Sequence, residues 1–305
     1  MKLFSKYRVA LLVVLGGLVW HAPSIVAETA PEGILDTEGV RFSASIDWES
    51  KELSILVSAP VDRDVSVRNR ATLMSRKENE LREFFPTIFP LCLHGLRINS
   101  LEIFQDLMAK DPQFSLRVKD LASFVQVRKS QPSGDLKSIS IEYRLPFAPG
   151  INSLFIEQHS PRELPRLLAW QPSANYTGLI IHVDDLVDWY GTDTKTSLVP
   201  SLFPRLLDED ARLLLDLAAL DPAAAQARGT VNFTTANANN HYPLAGSHPL
   251  VVNARGLFGD TPTDLMISRA EADILLYNDQ TRNALRQGKV VVVVNPKFLH
   301  QDLVR

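Results

Sequence analysis

The first clear pattern along the chain is an alternation of apolar and polar residues with a period of two. Every second residue from 40 to 48 is apolar, and the same alternation returns from 53 to 59. The residues between these stretches, 49–52, are polar and suit a turn. Side chains of a β-strand point alternately to opposite faces, so this pattern predicts a β-hairpin with one buried face.

After Pro60 the period changes to that of a helix. Apolar residues recur at helical spacing at Val67, Ala71, Met74, Leu81, Phe85 and Ile88. The predicted helix begins near Asp64, whose carboxylate can cap the first turn. Pro86 and Pro90 are expected to kink or end the helix, because proline lacks the N–H that an inner helical turn requires.

Two shorter helices and a second pair of strands complete the first unit. The helices are expected over 100–109 and 114–122. The strands are expected over 124–128 and 139–145, on either side of a turn cluster at 131–135. Hairpin, helices and hairpin together predict an α+β unit with a core of its own.

Prolines punctuate the next stretch, 149–172, which is interpreted as a connector. One short helix is expected inside it, because Ser160 and Glu163 fit a capping box and Pro161 stands at the first helical position. A connector of this composition predicts that the units on its two sides fold separately.

The second unit contains three segments that predict strands, at 179–183, 249–255 and 289–294. Residues 208–228 are rich in Leu and Ala and locally favour a helix, although a hairpin stays open there. These segments extend the mixed character of the first unit into the second.

A helix is expected directly before the last strand. Ser268 and Glu271 make a capping box at its start, and Gly288 follows its end. Its apolar face is assigned to Ala270, Ile274, Tyr277 and Leu285. Strand, capped helix and strand predict a βαβ-type arrangement, with the direction of strand pairing left open.

These patterns predict an α+β fold of two small mixed units. The expected organisation is a signal peptide at 1–27, an N-terminal unit at 28–148, a Pro-rich connector at 149–172 and a C-terminal unit at 173–305. The N-terminal unit is expected as hairpin, helices and hairpin. The C-terminal unit is expected as a mixed sheet that ends in the strand-helix-strand element.

The N-terminal residues have the order of a secretory signal peptide. Lys2, Lys6 and Arg8 precede an apolar run at 9–20, and Ala27 precedes the expected cleavage site. The run is too short to span a bilayer, which takes ~20 apolar residues. No cysteine near the cleavage site could carry a lipid. We therefore expect an exported, soluble periplasmic protein that is not lipidated and has no membrane span after cleavage.

Charge and cysteine content narrow the classes of partner and reaction. The chain has 32 Lys and Arg against 35 Asp and Glu, and loss of the signal peptide would make it more acidic. Because no basic cluster is present, nucleic acid and anionic lipid are disfavoured as partners. The single cysteine, Cys92, lies in an apolar stretch and is interpreted as a buried small hydrophobe in preference to a catalytic nucleophile.

The search for chemistry assigns no catalytic, cofactor-binding or metal-binding residue. Six histidines follow the signal peptide without the paired spacing of zinc or iron ligands: His94, His159, His182, His241, His248 and His300. Asp184, Asp185 and Asp188 follow the strand at 179–183 and could act as acid and base, but aspartates are also favoured at solvated strand ends. The same two interpretations apply to 208–210.

Five segments of the second unit form a distinctive series: 176–181, 204–211, 249–254, 263–268 and 289–294. The series resembles a bacterial envelope family that includes flagellar assembly T-like proteins and small outer-membrane lipoproteins of the LPP type, and the front unit resembles the same proteins less specifically. The lipidated cysteine of many members is absent. Ala211 stands where the family has Gly in a strand-linking turn, and 213–227 could be an inserted helix.

The resemblance implies a non-enzymatic protein that supports the flagellar motor or the outer membrane. We therefore hypothesise a periplasmic interaction protein without a cofactor, with flagellum-associated assembly as the specific case. Its expected partners are other envelope or flagellar proteins, with self-association left open. Two alternatives are a hydrolase that uses Asp184 with Asp185 or Asp188, and a solute-binding module with a ligand cleft between the units.

Overall fold

A computed structural model describes residues 33–35, 39–61, 69–156, 160–167, 174–237 and 242–304. Its strands are β1 (Gly33–Leu35), β2 (Val40–Asp47), β3 (Glu52–Pro60), β4 (Gln126–Pro132), β5 (Ser138–Pro146), β6 (Leu179–His182), β7 (Val187–Trp189), β8 (Lys195–Thr196), β9 (Leu206–Asp208), β10 (Leu213–Leu215), β11 (Asn232–Thr235), β12 (Leu250–Asn253), β13 (Gly256–Phe258), β14 (Asp264–Ile267), β15 (Val290–Val294) and β16 (His300–Val304). Its helices are α1 (Arg70–Cys92), α2 (Phe104–Lys110), α3 (Pro112–Asp120), α4 (Pro222–Arg228), α5 (Arg269–Tyr277) and α6 (Asp279–Arg286). The predicted α+β class is confirmed, whereas the signal peptide and the cap at Asp64 lie outside the described residues.

An antiparallel sheet, which we call the hairpin sheet, forms the base of the first unit. Its strand order is β1-β2-β3-β5-β4, and β16 pairs with β2 beside β1. β2 and β3 form the predicted hairpin, with alternate residues buried along both strands. α1 lies against β3 and β5 and buries Met74, Leu81, Phe85 and Ile88, which confirms that part of the predicted helical face. Ala71 is exposed.

α1 continues through Pro86 and ends at Cys92, two residues after Pro90, so the helix ends close to the second of the two prolines that are expected to kink or end it. A proline inside a helix removes one backbone hydrogen bond and costs about 3 kcal/mol. Phe85, Ile88 and Phe89 are buried around Pro86. Burial of these side chains against the sheet offsets the lost hydrogen bond, because packing dominates the stability of helices in proteins.

The second predicted helix starts later than expected, at Phe104. The side-chain oxygen of Asn99 accepts hydrogen bonds from the backbone N–H groups of Leu101 at 2.8 Å and Glu102 at 3.0 Å. Such a turn competes with the helix for the same backbone groups. The residues before α2 therefore form a loop, and the carbonyl of Ile98 in this loop accepts a hydrogen bond from the backbone N–H of Phe203 in the second unit at 2.9 Å.

The second unit contains two further sheets. The parallel sheet has the order β11-β15-β6-β12, and the mixed sheet has the order β10-β9-β14-β13-β7-β8. The strands predicted at 179–183, 249–255 and 289–294 are confirmed as β6, β12 and β15. β12 and β15, the strands predicted before and after the capped helix, lie in the parallel sheet on the two sides of β6, whereas β14, which directly precedes α5, lies in the mixed sheet. β14 and β15 are buried along their whole length, so neither shows an alternation that would indicate its sheet.

Residues 208–228 contain a hairpin as well as a helix. β9 and β10 are antiparallel, and α4 begins only at Pro222. Ala211 in the connecting turn has a φ of 59°, in the left-handed region that glycine adopts most easily. The carboxylate of Asp208 closes the turn by accepting hydrogen bonds from the backbone N–H and the Nε of Arg212, each at 2.8 Å.

The predicted last helix is divided in two at Asn278. The side chain of Asn278 accepts a hydrogen bond from the backbone N–H of Gln280 at 2.7 Å and thereby caps α6. The capping box of Ser268 and Glu271 at the start of α5 is confirmed. The assigned apolar face is wrong for the first half, since α5 buries Ala272, Leu275 and Leu276 while Ala270 is exposed and Ile274 is half-buried.

The helix predicted from the capping box at Ser160 does not form, since 160–167 has no regular secondary structure. The backbone N–H of Arg162 donates a hydrogen bond to the carbonyl of Ala218 at 2.7 Å, and Leu164 is buried. Docking against the second unit therefore supplies the contacts that a local helix would have made.

The two units share one apolar core instead of holding separate ones. The ring of Phe155 lies 6.2 Å from that of Phe104 and 5.2 Å from that of Phe203, which joins the units through aromatic contacts. β16 lies in the hairpin sheet, so assigning all of 173–305 to the C-terminal unit is wrong for its last strand. Leu303 of β16 is buried in the shared core, so β16 holds the two units together.

Candidate functional site

The tip of the hairpin between β2 and β3 inserts into the second unit. Trp48 packs edge-on against Phe147 of the first unit and Phe233 of β11, with ring centroids 5.5 Å and 5.9 Å apart. Glu49 accepts hydrogen bonds from the hydroxyl of Thr234 at 2.6 Å and from the backbone N–H of Thr235 at 3.3 Å. Because β11 is an edge strand of the parallel sheet, the hairpin tip covers an otherwise open strand edge.

Lys51 makes the most specific contact of this tip. Its Nζ donates hydrogen bonds to the carbonyl oxygens of Arg228 and Val231, the latter at 3.2 Å, and to the side-chain oxygen of Asn232. An ammonium group has three N–H donors, so all of them are engaged. Lys51 is partly exposed as a residue, but its ammonium group is buried between the two units.

A cavity lies beside this ammonium group. Its empty space of about 270 Å³ includes open solvent, and the volume available to the centre of a water molecule is only about 10 Å³, which is room for about one water. Its walls come from both units: Trp48, Lys51, Phe147, Asn152, Ser201, Leu202, Arg228, Gly229, Val231 and Phe233. The Oγ of Ser201 is buried and makes no hydrogen bond with the protein. The residues of the cavity wall therefore include positive charge and one buried hydroxyl group without a hydrogen-bond partner in the protein.

Burial lowers the pKa of Lys51 to about 7, and the nearby charge of Arg228 adds to this effect. No Asp or Glu is among the residues that line the cavity. The positive charge of Lys51 is thus stabilised by the dipoles of carbonyl and amide oxygens. The residues that line the cavity supply no carboxylate. This lysine was not singled out in the sequence, because its position in a polar turn indicates exposure.

The carboxylates that the sequence offered as an acid–base group have separate partners. Asp185 pairs with Lys297 at 2.7 Å, and this hydrogen bond holds the pKa of Asp185 below its usual range. Asp188 lies 3.8 Å from Lys195 in the mixed sheet. Asp184 is exposed at the end of β6. Asp184 and Asp185 therefore lie in the exposed segment after β6, whereas Asp188 lies within β7, and each has different surroundings.

The buried carboxylates of the second unit hold backbone segments in place. Asp264 accepts hydrogen bonds from the backbone N–H of Arg205 at 2.8 Å and from its guanidinium at 2.6 Å and 2.8 Å. The same guanidinium donates to the hydroxyl of Ser100 in the first unit at 3.0 Å. No local sequence pattern predicts this pairing, because Asp264 and Arg205 are 59 residues apart.

Cys92, His94 and His248 lie in different environments. Cys92 is fully buried, and burial raises the pKa of its thiol to about 12, as expected for a packing residue. Burial lowers the pKa of His94, and His248 stacks on Tyr176 with ring centroids 5.2 Å apart. In the described part of the chain no group of His, Cys, Asp and Glu could hold a metal ion. His159 and His241 fall outside that part.

Large apolar side chains are exposed where loops of both units meet. Leu101 of the first unit is 63% exposed, and Tyr190 of the second unit is 47% exposed. The ring of Tyr190 lies 5.4 Å from that of Phe258, and the indole N–H of Trp189 donates to the carbonyl of Gly259 at 3.0 Å. The backbone N–H of Thr261 joins these loops by donating to the carbonyl of Ser100, next to Leu101, at 3.2 Å. We call Leu101, Trp189, Tyr190 and Phe258 the junction patch.

Comparison with known proteins identifies both units separately. Residues 39–154 match the family described as the N-terminal domain of Treponema pallidum Tp0624, and residues 178–296 match the family described as its second domain. The chain is thus similar to two successive domains of that protein, in the same order. The gap between the matches falls at the predicted connector, and β16 lies beyond the second match.

These descriptions name neither flagellar assembly T-like proteins nor LPP-type lipoproteins. No curated protein matches the chain with significant similarity. Among the described residues, no helix has both the length and the apolar character required to cross a membrane.

Proposed function

We propose that this protein works in the periplasm of a bacterium as a non-enzymatic interaction protein that binds another envelope protein through the junction patch. The observation that carries the proposal is the exposure of Leu101 and Tyr190 at a site built from both units. Aromatic residues are enriched in protein interfaces and contribute much of the binding energy there. Exposed apolar surface that several side chains form together is a common mark of a binding site.

The surroundings of the patch also suit a protein partner. The guanidinium of Arg205 lies 5.7 Å from the ring of Phe258 and is fixed by its bonds to buried Asp264. A rigid aromatic surface with one positioned cation offers apolar contact and a directed polar contact side by side. Because Arg205 also bonds Ser100, the relative position of the two loops is set before a partner binds.

The use of the polar side chains supports a non-catalytic role. Lys51, Asp208 and Asp264 are occupied by hydrogen bonds that hold backbone segments together. Catalytic acids and bases instead need a hydrogen-bonding position that remains for the substrate. Flagellum-associated assembly is the specific setting we propose, and it rests on the sequence resemblance alone, as does export to the periplasm on the N-terminal pattern.

The test replaces Leu101 and Tyr190 together by Ser in the source bacterium. The matched control replaces Leu56 and Leu116 by Ser, which are also exposed leucines but lie outside the patch. In-cell crosslinking should show loss of a specific envelope partner for the patch variant only, with motility and then envelope integrity as functional readouts. A folded patch variant with unchanged crosslinks and normal function would overturn the proposal.

A second variant separates this proposal from the hydrolase alternative. Replacing Asp184 and Asp185 by Asn should leave motility and envelope integrity nearly intact, because both side chains are exposed and Asp185 contacts Lys297 and Asn295 at the surface. A secreted, folded Asn variant that has lost function would favour the hydrolase instead.

A further inference from the structure

We infer that the partner at the junction patch presents a basic segment, in which Lys or Arg side chains flank apolar residues. The inference rests on the function proposed for the patch and adds the chemistry of the partner. Leu101 and Tyr190 supply exposed apolar surface, and they are 63% and 47% exposed. The charges around these side chains indicate the sign of the segment that binds there.

The first of two unpaired carboxylates at the patch belongs to Asp193. The backbone N–H of Trp189 donates to the carbonyl of Thr194 at 3.0 Å, which closes a turn after β7. Asp193 is exposed in this turn, as is Tyr190. The carboxylate of Asp193 and the ring of Tyr190 are therefore presented by the same short segment.

The second carboxylate belongs to Asp260, which is exposed after the end of β13. The residue before it, Gly259, accepts the hydrogen bond from the indole of Trp189 at 3.0 Å. The residue after it, Thr261, donates its backbone N–H to the carbonyl of Ser100, next to Leu101, at 3.2 Å. Asp260 is thus held between contacts to both loops of the patch. Because β7 and β13 are parallel neighbours, Asp193 and Asp260 follow strand ends at the same edge of the mixed sheet.

Cations beside the patch are already engaged. Three of them pair with carboxylates: Arg205 with Asp264 at 2.6 Å, Lys195 with Asp188 at 3.8 Å, and Lys110 with Glu102 at 3.2 Å. Arg97, in the loop of Leu101, also has a contact of its own, and Arg255 is exposed at the opposite end of β13 from Phe258. Within the described ranges, neither Asp193 nor Asp260 forms an ion pair. The patch therefore has two negative charges that its own surroundings do not balance.

A basic segment suits both the apolar and the charged part of this surface. Lys and Arg side chains lay their methylene groups along apolar surface while the charged end reaches a carboxylate. Their charge is also attracted to the faces of aromatic rings such as that of Tyr190. Complementary charge at the rim of an interface accelerates association, whereas an acidic segment would be repelled by Asp193 and Asp260.

The test measures binding of two labelled peptides to the mature chain by fluorescence anisotropy. The peptides contain the same leucines and differ only in having lysine or glutamate at the remaining positions. The lysine peptide should bind more tightly than the glutamate peptide. Its affinity should fall as NaCl is raised from about 50 to about 500 mM, because salt screens exposed charges.

Matched variants distinguish the patch from the general acidity of the chain. Asp193→Asn together with Asp260→Asn should weaken binding of the lysine peptide by about three- to tenfold, mainly through slower association, and should reduce its salt dependence. Glu83→Gln together with Asp120→Asn changes the net charge equally at exposed carboxylates of the first unit and should leave binding unchanged. No binding of the lysine peptide, equal binding of both peptides, or equal effects of the two double variants would overturn the inference.

In-cell crosslinking separates failure of this inference from failure of the proposed function. The double Asn variant should reduce the crosslinks that replacement of Leu101 and Tyr190 by Ser abolishes. If the Ser variant loses these crosslinks and the Asn variant keeps them in full, the interaction at the patch stands and the basic segment is wrong. If neither variant loses them, both proposals are wrong.

Discussion

Ala211 shows how a single residue can keep a turn at a cost in strain. A non-glycine residue in the left-handed region destabilises the folded protein by about 1–2 kcal/mol. Glycine would remove this strain, but it also increases the conformational entropy of the unfolded chain, which cancels part of the gain in stability. We expect Ala211→Gly to raise the free energy of unfolding by about 0.5 kcal/mol in urea denaturation. The control, Ala227→Gly in α4, should lower it by up to about 1 kcal/mol. Equal destabilisation by both changes would contradict the strain argument.

Lys51 gives a prediction for the dependence of stability on pH. Its pKa is lowered from 10.5 to about 7 in the folded protein, so between these values the unfolded chain binds more protons than the folded one. The free energy of unfolding should therefore rise as the pH increases from 7 towards 10.5, by about 2–4 kcal/mol from this group. Below pH 7 both states are protonated and the contribution is flat.

The measurement is urea unfolding over this pH range with Lys51→Met beside the wild type. The variant should lose most of the rise, while Lys129→Met, at an exposed lysine of β4, should keep it. The same rise in Lys51→Met would show that other groups cause it.

At the scale of elements, the orientation of α5 gives two neighbouring residues, Ile274 and Leu275, different degrees of burial. Leu275 is fully buried, whereas Ile274 is half-buried at the side of the helix. Leu275→Asp should cost several kcal/mol and unfold the second unit, because an unpaired charge enters an apolar site. Ile274→Asp should cost much less, because its carboxylate can reach water. Circular dichroism and urea unfolding of the two variants test this order, and a more damaging Ile274→Asp would restore the face predicted from the sequence.

β4, the outer strand of the hairpin sheet, has features that discourage pairing with a strand of another molecule. β4 is exposed along nearly all its length and has one free edge. Its register shifts between Val127 and Lys129, and it ends at Pro132. A bulge, a lysine and a proline each discourage pairing with another strand. These features explain why we place the partner at the junction patch and not at this edge.

At the scale of the whole molecule, the units are fastened in both directions. The hairpin tip enters the second unit through Lys51, and β16 returns to pair with β2 of the first unit. The backbone N–H of Trp48 also donates to the carbonyl of Leu299 at 2.8 Å, just before β16. The prediction of two separately folding units is therefore replaced by one of cooperative unfolding.

A cut in the connector tests this cooperativity. A protease site inserted at 168–173 should leave the two cleaved pieces associated in size-exclusion chromatography, because the shared core and β16 hold them. Removing 300–305 as well should weaken that association, since the β2 pairing and the burial of Leu303 are lost. Separation of the pieces after cleavage alone would support the earlier prediction of independent units.

Features that depend on residues close together in the chain could be predicted from the sequence. The alternation at 40–59 specified the hairpin, and Ser268 with Glu271 specified the start of α5, because strand faces and helix caps are set within a few residues. The two-unit organisation also followed from the prolines of the connector, and the family matches divide the chain there.

Contacts between residues that are distant in the chain could not be predicted from the sequence. Lys51 meets the carbonyl of Arg228 across 177 residues, and the indole N–H of Trp48 meets Gln301 across 253. Which sheet receives β14, β15 or β16 is likewise invisible in strands that are simply apolar or short. The cavity and the junction patch exist because the two units pack together, and no local pattern encodes the position of one unit against the other.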